Sequence, residues 1–365
     1  MVLPGGVDRG GVERVIPCVL ALVERVARVH ELHVFALAQE PRPARWTLLG
    51  AQVHNAGRRP VRAVSLAQIV REHRRAPFDV LHGLWASCGT VSGAAGRLLR
   101  RPAVVHLTGG DLASVPEIRW GLCRTAPGRA TLRAAAALAA HRTVPGAWMR
   151  GLARARGIDA ERLTLGVSLA EWPVRAPVRR SPDAEARLLF AGSLNAVKDP
   201  MTMVRAAAAL RERGVRFRLD VVGVDTLGGA VQRLAAELGV GDVVHFHGWM
   251  PQGEMREWME RADLLLVTSR HEGDPLVALE AAVAGVPAVG TPVGHLAEWA
   301  PDAAFTVPMA DPHALADAAA ALLNDEDRRL RLAAAAQRRA VEHDADRAAA
   351  RVLQIYDELT RSPTR

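Results

Sequence analysis

From Ala186 onward the sequence repeats one pattern: a short, near-continuous apolar run, a turn, and then a stretch with helical spacing. The runs read LLFAG, FRLDVVG, VVHFHG, DLLLVTS, PAVGT and AAFTV. Strands that are apolar at almost every position are covered on both faces, which is the condition of a parallel sheet flanked by crossover helices. A similar alternation fills the first half. Gly10 to Leu32 carries apolar residues at helical spacing (Val12, Val15, Ile16, Val19, Leu22, Val23, Val26), LHVFAL follows and ends at Leu37, and runs around Val80 and Val104 are bounded by Gly, Pro or Asp. At roughly 100–200 residues per domain, 365 residues suit two domains.

The expected architecture is therefore α/β, with two doubly wound domains facing a cleft. The first domain is assigned to residues 1–172. The polar, Arg- and Pro-rich stretch from Pro173 to Ala186 reads as a linker, residues 187–345 form the second domain, and an amphipathic helix over 346–365 is expected to pack back on the first. Only Met1 to Leu3 are available for a strand before the first glycine turn, so a first strand cut short is expected in the middle of the first sheet.

Several function classes are excluded. The best candidate for a membrane span, Val15 to Val29, is broken by Glu24, Arg25 and Arg28, and the opening MVLPGGVDRGG has neither a positive start nor an apolar signal core. A cytoplasmic protein is expected. Cys18, Cys88 and Cys123 are too few and too scattered for a zinc site or a disulfide framework. The net charge of +8 points to an anionic partner, but the basic residues are spread along the chain and aromatics are only 4%, which argues against nucleic acid. Peripheral association with an anionic membrane face is compatible with that charge. Lys198 is the only lysine; every other basic residue counted is arginine.

In open parallel sheets, ligands bind beyond the carboxyl ends of the strands, often at a helix start whose amides attract anions. The turn after DLLLV is the richest, running from Thr268 to Thr291. Asp274 is expected to cap the helix there, with Pro275 at its first position and the amides of Leu276 and Val277 directed at an anion such as a diphosphate. Glu272 before the helix and Glu280 inside it are suited to accept hydrogen bonds from sugar and ribose hydroxyls. The alternative for both is a solvated glutamate on a helix.

Three motifs carry a resemblance: EGDPLVALEAAVAGVPAVGTPVG with its Glu272 to Glu280 spacing, GSLNAVKDP from Gly192 to Pro200, and GGVER from Gly10 to Arg14. Together they resemble the retaining glycosyltransferase family 4, over nearly the whole chain. The resemblance implies the glycosyltransferase B fold of two Rossmann-like domains and a nucleoside diphosphate sugar as donor, with a hydroxyl acceptor and no metal or other cofactor. It implies that Glu280 holds the ribose, that Glu272 contacts the donor sugar, and that Lys198 neutralises the leaving diphosphate. Leu276 and Val277 receive that diphosphate. Ser193, Gly248, Gly273, Asp274 and Pro275 complete the donor turns, and Gly10 with Gly11 forms the glycine loop.

Two positions depart from the family pattern. Ser193 stands where an arginine is usual, leaving Lys198 as the matched cation, with Arg270 as a possible substitute. Thr108 stands where a His or Arg often precedes the Gly-x-Asp segment. His106, two residues earlier on the same strand face, is the candidate replacement, with a satisfied core histidine as the equal alternative. His82 is a further strand-end candidate for the acceptor side. The implied reaction is sugar transfer with retention. The rivals are an inactive relative that binds a nucleotide sugar or a partner, and a sugar-nucleotide epimerase on the same fold.

Overall fold

The protein is described as a computed structural model covering residues 1–57 and 59–361. Strand β1 (Val2–Leu3) leads through a glycine-rich loop to α1 (Pro17–Ala27). Then come β2 (His33–Ala36), β3 (Ala44–Leu48), β4 (Ala51–Asn55), α2 (Val61–His73), β5 (Leu81–Leu84) and α3 (Ala86–Leu99). The run closes with β6 (Ala103–His106), α4 (Ala126–Leu138), β7 (His141–Val144), α5 (Ala147–Arg154) and β8 (Glu161–Arg162). Among the described residues these strands form an eight-stranded sheet in the order β3-β4-β2-β1-β5-β6-β7-β8, parallel except for the β3–β4 hairpin.

The short β1 lies mid-sheet, between β2 and β5. Helix α1 is shorter than the apolar spacing suggests. Pro17 occupies its first turn, and the preceding loop turns the chain at Gly11 and Arg14, both at positive φ. Its stripe of Val19, Leu22, Val23 and Val26 is buried.

The second series runs β9 (Ala186–Ala191), α6 (Pro200–Glu212), β10 (Phe217–Val222), α7 (Ala230–Glu237), β11 (Val244–Gly248), α8 (Gln252–Arg261) and β12 (Leu264–Val267). It continues with α9 (Leu276–Val283), β13 (Ala288–Gly290), α10 (Gly294–Trp299), β14 (Phe305–Thr306), α11 (Pro312–Asn324) and α12 (Glu326–Val341). Among the described residues its sheet has six strands, all parallel, in the order β11-β10-β9-β12-β13-β14. The chain lays strands outward from β9 on one side and then, from β12, on the other. The strand order therefore reverses between β9 and β12, and the loops that follow these two strands meet at the switch point, where such sheets bind ligands.

Phe190, Leu219 and Leu266 of this sheet share one buried cluster with Met203 of α6, Val231 of α7 and Ala319 of α11. Burying a side chain of the Leu, Val or Phe kind contributes about 1.5–3 kcal/mol. That core fixes the strand ends, and with them the loops that carry the site.

The last helix, α13 (Ala345–Arg361), returns to the first series. Its Ala349 and Val352 join the cluster of Val19, Leu22 and Val26. Arg25 of α1 pairs with Asp346 at 2.7 Å, and Arg351 with Glu161 at 2.6 Å. The chain thus divides into two compact units, Met1–Ser168 with the residues from His343 onward, and Leu169–Glu342.

The boundaries differ from those expected of the sequence. The stretch from Pro173 to Ala186 does not hang free as a linker but belongs to the second unit. Arg175 N donates to Val283 O at 3.0 Å, Arg180 N to Glu326 Oε1 at 2.7 Å, and the buried Arg329 donates to Val178 O at 2.6 Å. The Arg180 side chain adds to them, donating through Nη2 to Leu323 O at 2.8 Å. Among the described residues, no helix is long and apolar enough to cross a membrane.

Candidate functional site

The site assembles in the second unit, at the carboxyl ends of β9, β11 and β12. After β9 the chain bends at Gly192, whose φ of 150° favours glycine. A Cβ there would meet Lys198 Cε at 3.2 Å and Nζ at 3.6 Å, so the missing side chain is the room in which the lysine stem lies. Ser193 follows in the same turn. Asn195 Oδ1 accepts from the amides of Val197 and Lys198, both at 3.0 Å, and Asp199 caps α6 by accepting from Thr202 N. Lys198 is therefore held one residue before a capped helix.

The loop after β12 clamps this turn. Thr268 Oγ1 donates to Lys198 O at 2.7 Å, and Arg270 N donates to Val197 O at 2.7 Å. The clamp brings Glu272 to Lys198. Nζ donates to Glu272 Oε1 at 2.5 Å, and the same oxygen accepts from Ser269 Oγ at 2.8 Å. Arg270, the possible substitute for the missing arginine, donates through Nε to Asp199 Oδ2 at 2.6 Å. Each cation of the site thus has a carboxylate beside it.

Beyond Glu272, Gly273 leads to α9. Pro275 is the N-cap of this helix and makes no side-chain cap bond, so the helix begins one residue later than expected. Asp274 does not cap it. Its Oδ1 stands 2.5 Å from Nε2 of the buried His295. The amides of Leu276 and Val277 open the helix, where backbone N–H groups have no intrahelical acceptor.

Glu280 lies one turn further in and is buried. Burial pushes its carboxyl up to about 7, which the nearby Glu171 reinforces, while a hydrogen bond from Gln252 and the charge of Lys198 oppose it. Gln252 Nε2 donates to Glu280 Oε1 at 3.3 Å. Gln252 opens α8 four residues after Gly248, so the loop after β11 also reaches this carboxylate. Sequence reasoning marked Gly248 but missed Gln252, because a glutamine at a helix start carries no signal of its own.

The other candidates lie in the first unit. Gly10 and Gly11 sit in an exposed turn in which Gly10 N donates to Asp8 Oδ2 at 3.2 Å and Gly11 N to Asp8 O at 3.0 Å. His106 ends β6 fully buried, with Nδ1 2.9 Å from Thr143 Oγ1 of β7. Asp111 is also buried, and its Oδ2 accepts from Thr108 N at 3.1 Å and Ala86 N at 2.8 Å, tying the turn after β6 to the start of α3.

His82 is not on the acceptor side expected of it. It lines a cavity of about 320 Å³ with Met1, Leu32 and Val80 at the amino ends of β1, β2 and β5, the end opposite to that where such sheets bind ligands. Its Nδ1 is 2.8 Å from the hydroxyl of Tyr356, and burial holds the imidazole well below its ordinary range. Among the described residues, no three His, Cys, Asp or Glu side chains gather as metal ligands would.

Comparison with known proteins bears on the same region. Residues 176–339 match the family of glycosyl transferases group 1. The D-inositol 3-phosphate glycosyltransferase of Thermomonospora curvata is 35% identical over 234 residues, which are 57% of this chain and 54% of that one. The enzyme of the same name from Thermobispora bispora is 38% identical over 187 residues, 48% of this chain and 44% of that one. The chain thus spans about half the length of these curated relatives.

Among solved structures, the sucrose-phosphate synthase of Thermosynechococcus elongatus superposes with a TM-score of 0.80 at 20% identity, covering 98% of both chains. HepE of Anabaena, in complex with UDP-glucose, superposes with a TM-score of 0.75 at 17% identity, covering 98% of this chain and 99% of that one. These likenesses show the fold, two Rossmann-like domains of the glycosyltransferase B type.

Proposed function

We propose that the chain transfers a sugar from a nucleoside diphosphate sugar to a hydroxyl acceptor, with retention and without a metal, a reading supported by the match of residues 176–339 to the glycosyl transferases group 1 family. The observation that carries this reading is the convergence of Lys198, Glu272 and the start of α9 on the switch point where the loops after β9 and β12 meet.

In this reading the amides of Leu276 and Val277 receive the diphosphate, Glu280 accepts from the ribose hydroxyls, and Glu272 accepts from hydroxyls of the donor sugar. The bond from the anomeric carbon to the β-phosphate oxygen breaks, and the diphosphate keeps the electron pair. Lys198 stabilises that charge as it develops, when stabilisation accelerates the reaction. The acceptor oxygen bonds to the anomeric carbon on the face the diphosphate leaves, and its proton passes to the departing phosphate.

The test is thermal unfolding with a panel of UDP-, GDP-, ADP- and TDP-sugars, followed by assay of free nucleoside diphosphate with acceptors. Inositol 3-phosphate, after which the curated relatives are named, heads the acceptor set. Ligand at 100 times its dissociation constant stabilises by about 2.7 kcal/mol. A shift with one base and release of its diphosphate only with acceptor is the expected result. Binding without turnover selects an inactive relative, and a changed donor without release selects an epimerase.

We also propose peripheral association with an anionic membrane face. The first unit presents exposed Arg71 of α2, exposed Arg74 just after its end and exposed Leu98 of α3 around one apolar groove. Basic and apolar groups side by side suit a lipid headgroup boundary. Sedimentation with phosphatidylglycerol vesicles at low salt, lost in Arg71→Glu/Arg74→Glu, is expected; equal sedimentation of the variant removes the proposal.

A further inference from the structure

The aspartate two residues before the first helical amide of α9 is placed to occupy that amide itself. An Asp side chain accepts readily from the N–H two positions on, so Asp274 can bond Leu276 N in an Asx turn. Such a turn would satisfy Leu276 N, one of the two donors assigned to the diphosphate, and set a negative charge against the ligand. The Asp274 carboxylate instead stands against His295, with Oδ1 2.5 Å from Nε2.

His295 is built into its place. It is 1% exposed, its ring stacks on Trp299 with centroids 5.2 Å apart and planes at 20°, and Arg339 Nη1 anchors Trp299 O at 3.0 Å. Gly294 before it lies at a φ of 49°, and a Cβ there would meet Pro275 Cδ at 2.4 Å. The start of α10 is thus pressed directly onto the turn from Gly273 to Pro275. That approach is what brings the imidazole to the carboxylate. The contact is close but not aligned as a hydrogen bond: among the described residues neither Asp274 Oδ1 nor either ring nitrogen of His295 makes a well-directed one. Burying an imidazole without an aligned partner is costly, and here it stands against the carboxylate of the half-buried Asp274.

We propose that His295 is a positioning residue of the donor site: by holding the Asp274 carboxylate, it keeps that acceptor off the amides of Leu276 and Val277 and leaves the start of α9 open to an anionic ligand. The inference rests on the reading of this helix start as a diphosphate site. It makes Asp274 a competitor of the ligand whenever His295 is lost.

The experiment is calorimetric titration of the full chain with UDP, GDP and ADP, taking forward the nucleotide that wild type binds. His295→Leu keeps bulk against Trp299 and removes both ring nitrogens. It is expected to weaken binding at least 10-fold, and the double variant His295→Leu/Asp274→Ala to return to within threefold of wild type. His295→Gln, which keeps a donor toward Asp274, is expected to lose less than threefold. Recovery of affinity in the double variant without a matching recovery of thermal stability is the outcome that a merely structural role cannot give.

Unchanged binding in His295→Leu, or a loss that the double variant does not repair, overturns the proposal. Should His295→Leu not fold, His295→Ala is read in the same way, with the folded state of each variant established by thermal unfolding without nucleotide. If wild type itself binds none of the three nucleotides, the donor-site reading has failed and this inference fails with it, a result distinct from binding that His295 does not influence.

Discussion

The ammonium of Lys198 and the carboxylate of Glu272 are 2.5 Å apart, and Ser269 donates to the same carboxylate oxygen. A diphosphate that binds at Lys198 has to compete with Glu272 for the ammonium. Glu272→Gln keeps an acceptor for Ser269 but removes the competing charge, so it is expected to bind free nucleoside diphosphate several-fold more tightly while transferring sugar at least about 10-fold more slowly. Calorimetry beside a product-release assay checks both. Weaker nucleotide binding in Glu272→Gln would show that the pair does not oppose the ligand.

Lys198 is expected to matter through charge at one point in space. Removing a group that stabilises a developing oxyanion typically costs about 100- to 1,000-fold in kcat. Lys198→Ala should fall in that range, and Lys198→Arg should not restore it, because a planar guanidinium does not replace a compact ammonium over Gly192. An arginine variant with wild-type kcat counts against this placement.

Gly192→Ala tests the space beneath that lysine. Its φ of 150° strains any side chain, and the new Cβ would press on Lys198 Cε at 3.2 Å. A loss of about 1–3 kcal/mol in chemical denaturation is expected, together with lower turnover. Full stability and full turnover would mean that the turn relaxes without moving the lysine.

Glu280 predicts a pH dependence with a definite sign. Its folded carboxyl titrates near 7, raised from the model-peptide range by burial, so the folded protein favours the protonated form. That contribution is complete below about pH 4.5 and is lost as pH rises through 7; the shift corresponds to about 3 kcal/mol. Between pH 5 and 8, Glu280→Gln should therefore gain stability relative to wild type. Affinity of wild type for a nucleoside diphosphate sugar, whose phosphates do not titrate in this interval, should rise across it, as the ionised carboxylate accepts from both ribose hydroxyls, and should be flat in the variant. Parallel stability curves for the two proteins contradict the assignment.

Asp111 predicts a stability effect in the first unit. It is the shared acceptor of the buried amide of Ala86 and the half-buried amide of Thr108. Asp111→Ala leaves both without it and should cost about 2–4 kcal/mol, whereas Asp111→Asn retains an acceptor oxygen and should cost less than half of that. Urea denaturation followed in the first unit measures the difference; equal losses would mean that the carboxylate charge, not its acceptor role, matters there.

Much of the second unit was legible because its strands are buried on both faces and so announce themselves as unbroken apolar runs. Lys198, Glu272 and Glu280 stood out because strand-end turns are where such sheets place chemistry. The β3–β4 hairpin was not legible. Its turn is Leu49–Gly50, and a leucine at positive φ is no turn signal. Asp274 looked like a cap because the residues that decide otherwise, Gly294 and His295, lie twenty positions on. Gln252 and the bonds of Arg175 and Arg180 were hidden for the same reason: a polar residue reveals its partner only in three dimensions.

The return of α13 to the first unit makes the second an insert within it. The chain leaves and re-enters the first unit at neighbouring points, with Ala345 N bonded to Val167 O at 3.0 Å. Such an arrangement behaves as a socket. Exchange of residues 169–342 for a homologous block therefore rejoins two adjacent ends, whereas trimming the last helix strips a wall from the host. Recombination between related genes would accordingly succeed at these two joints and fail at a single crossover between them.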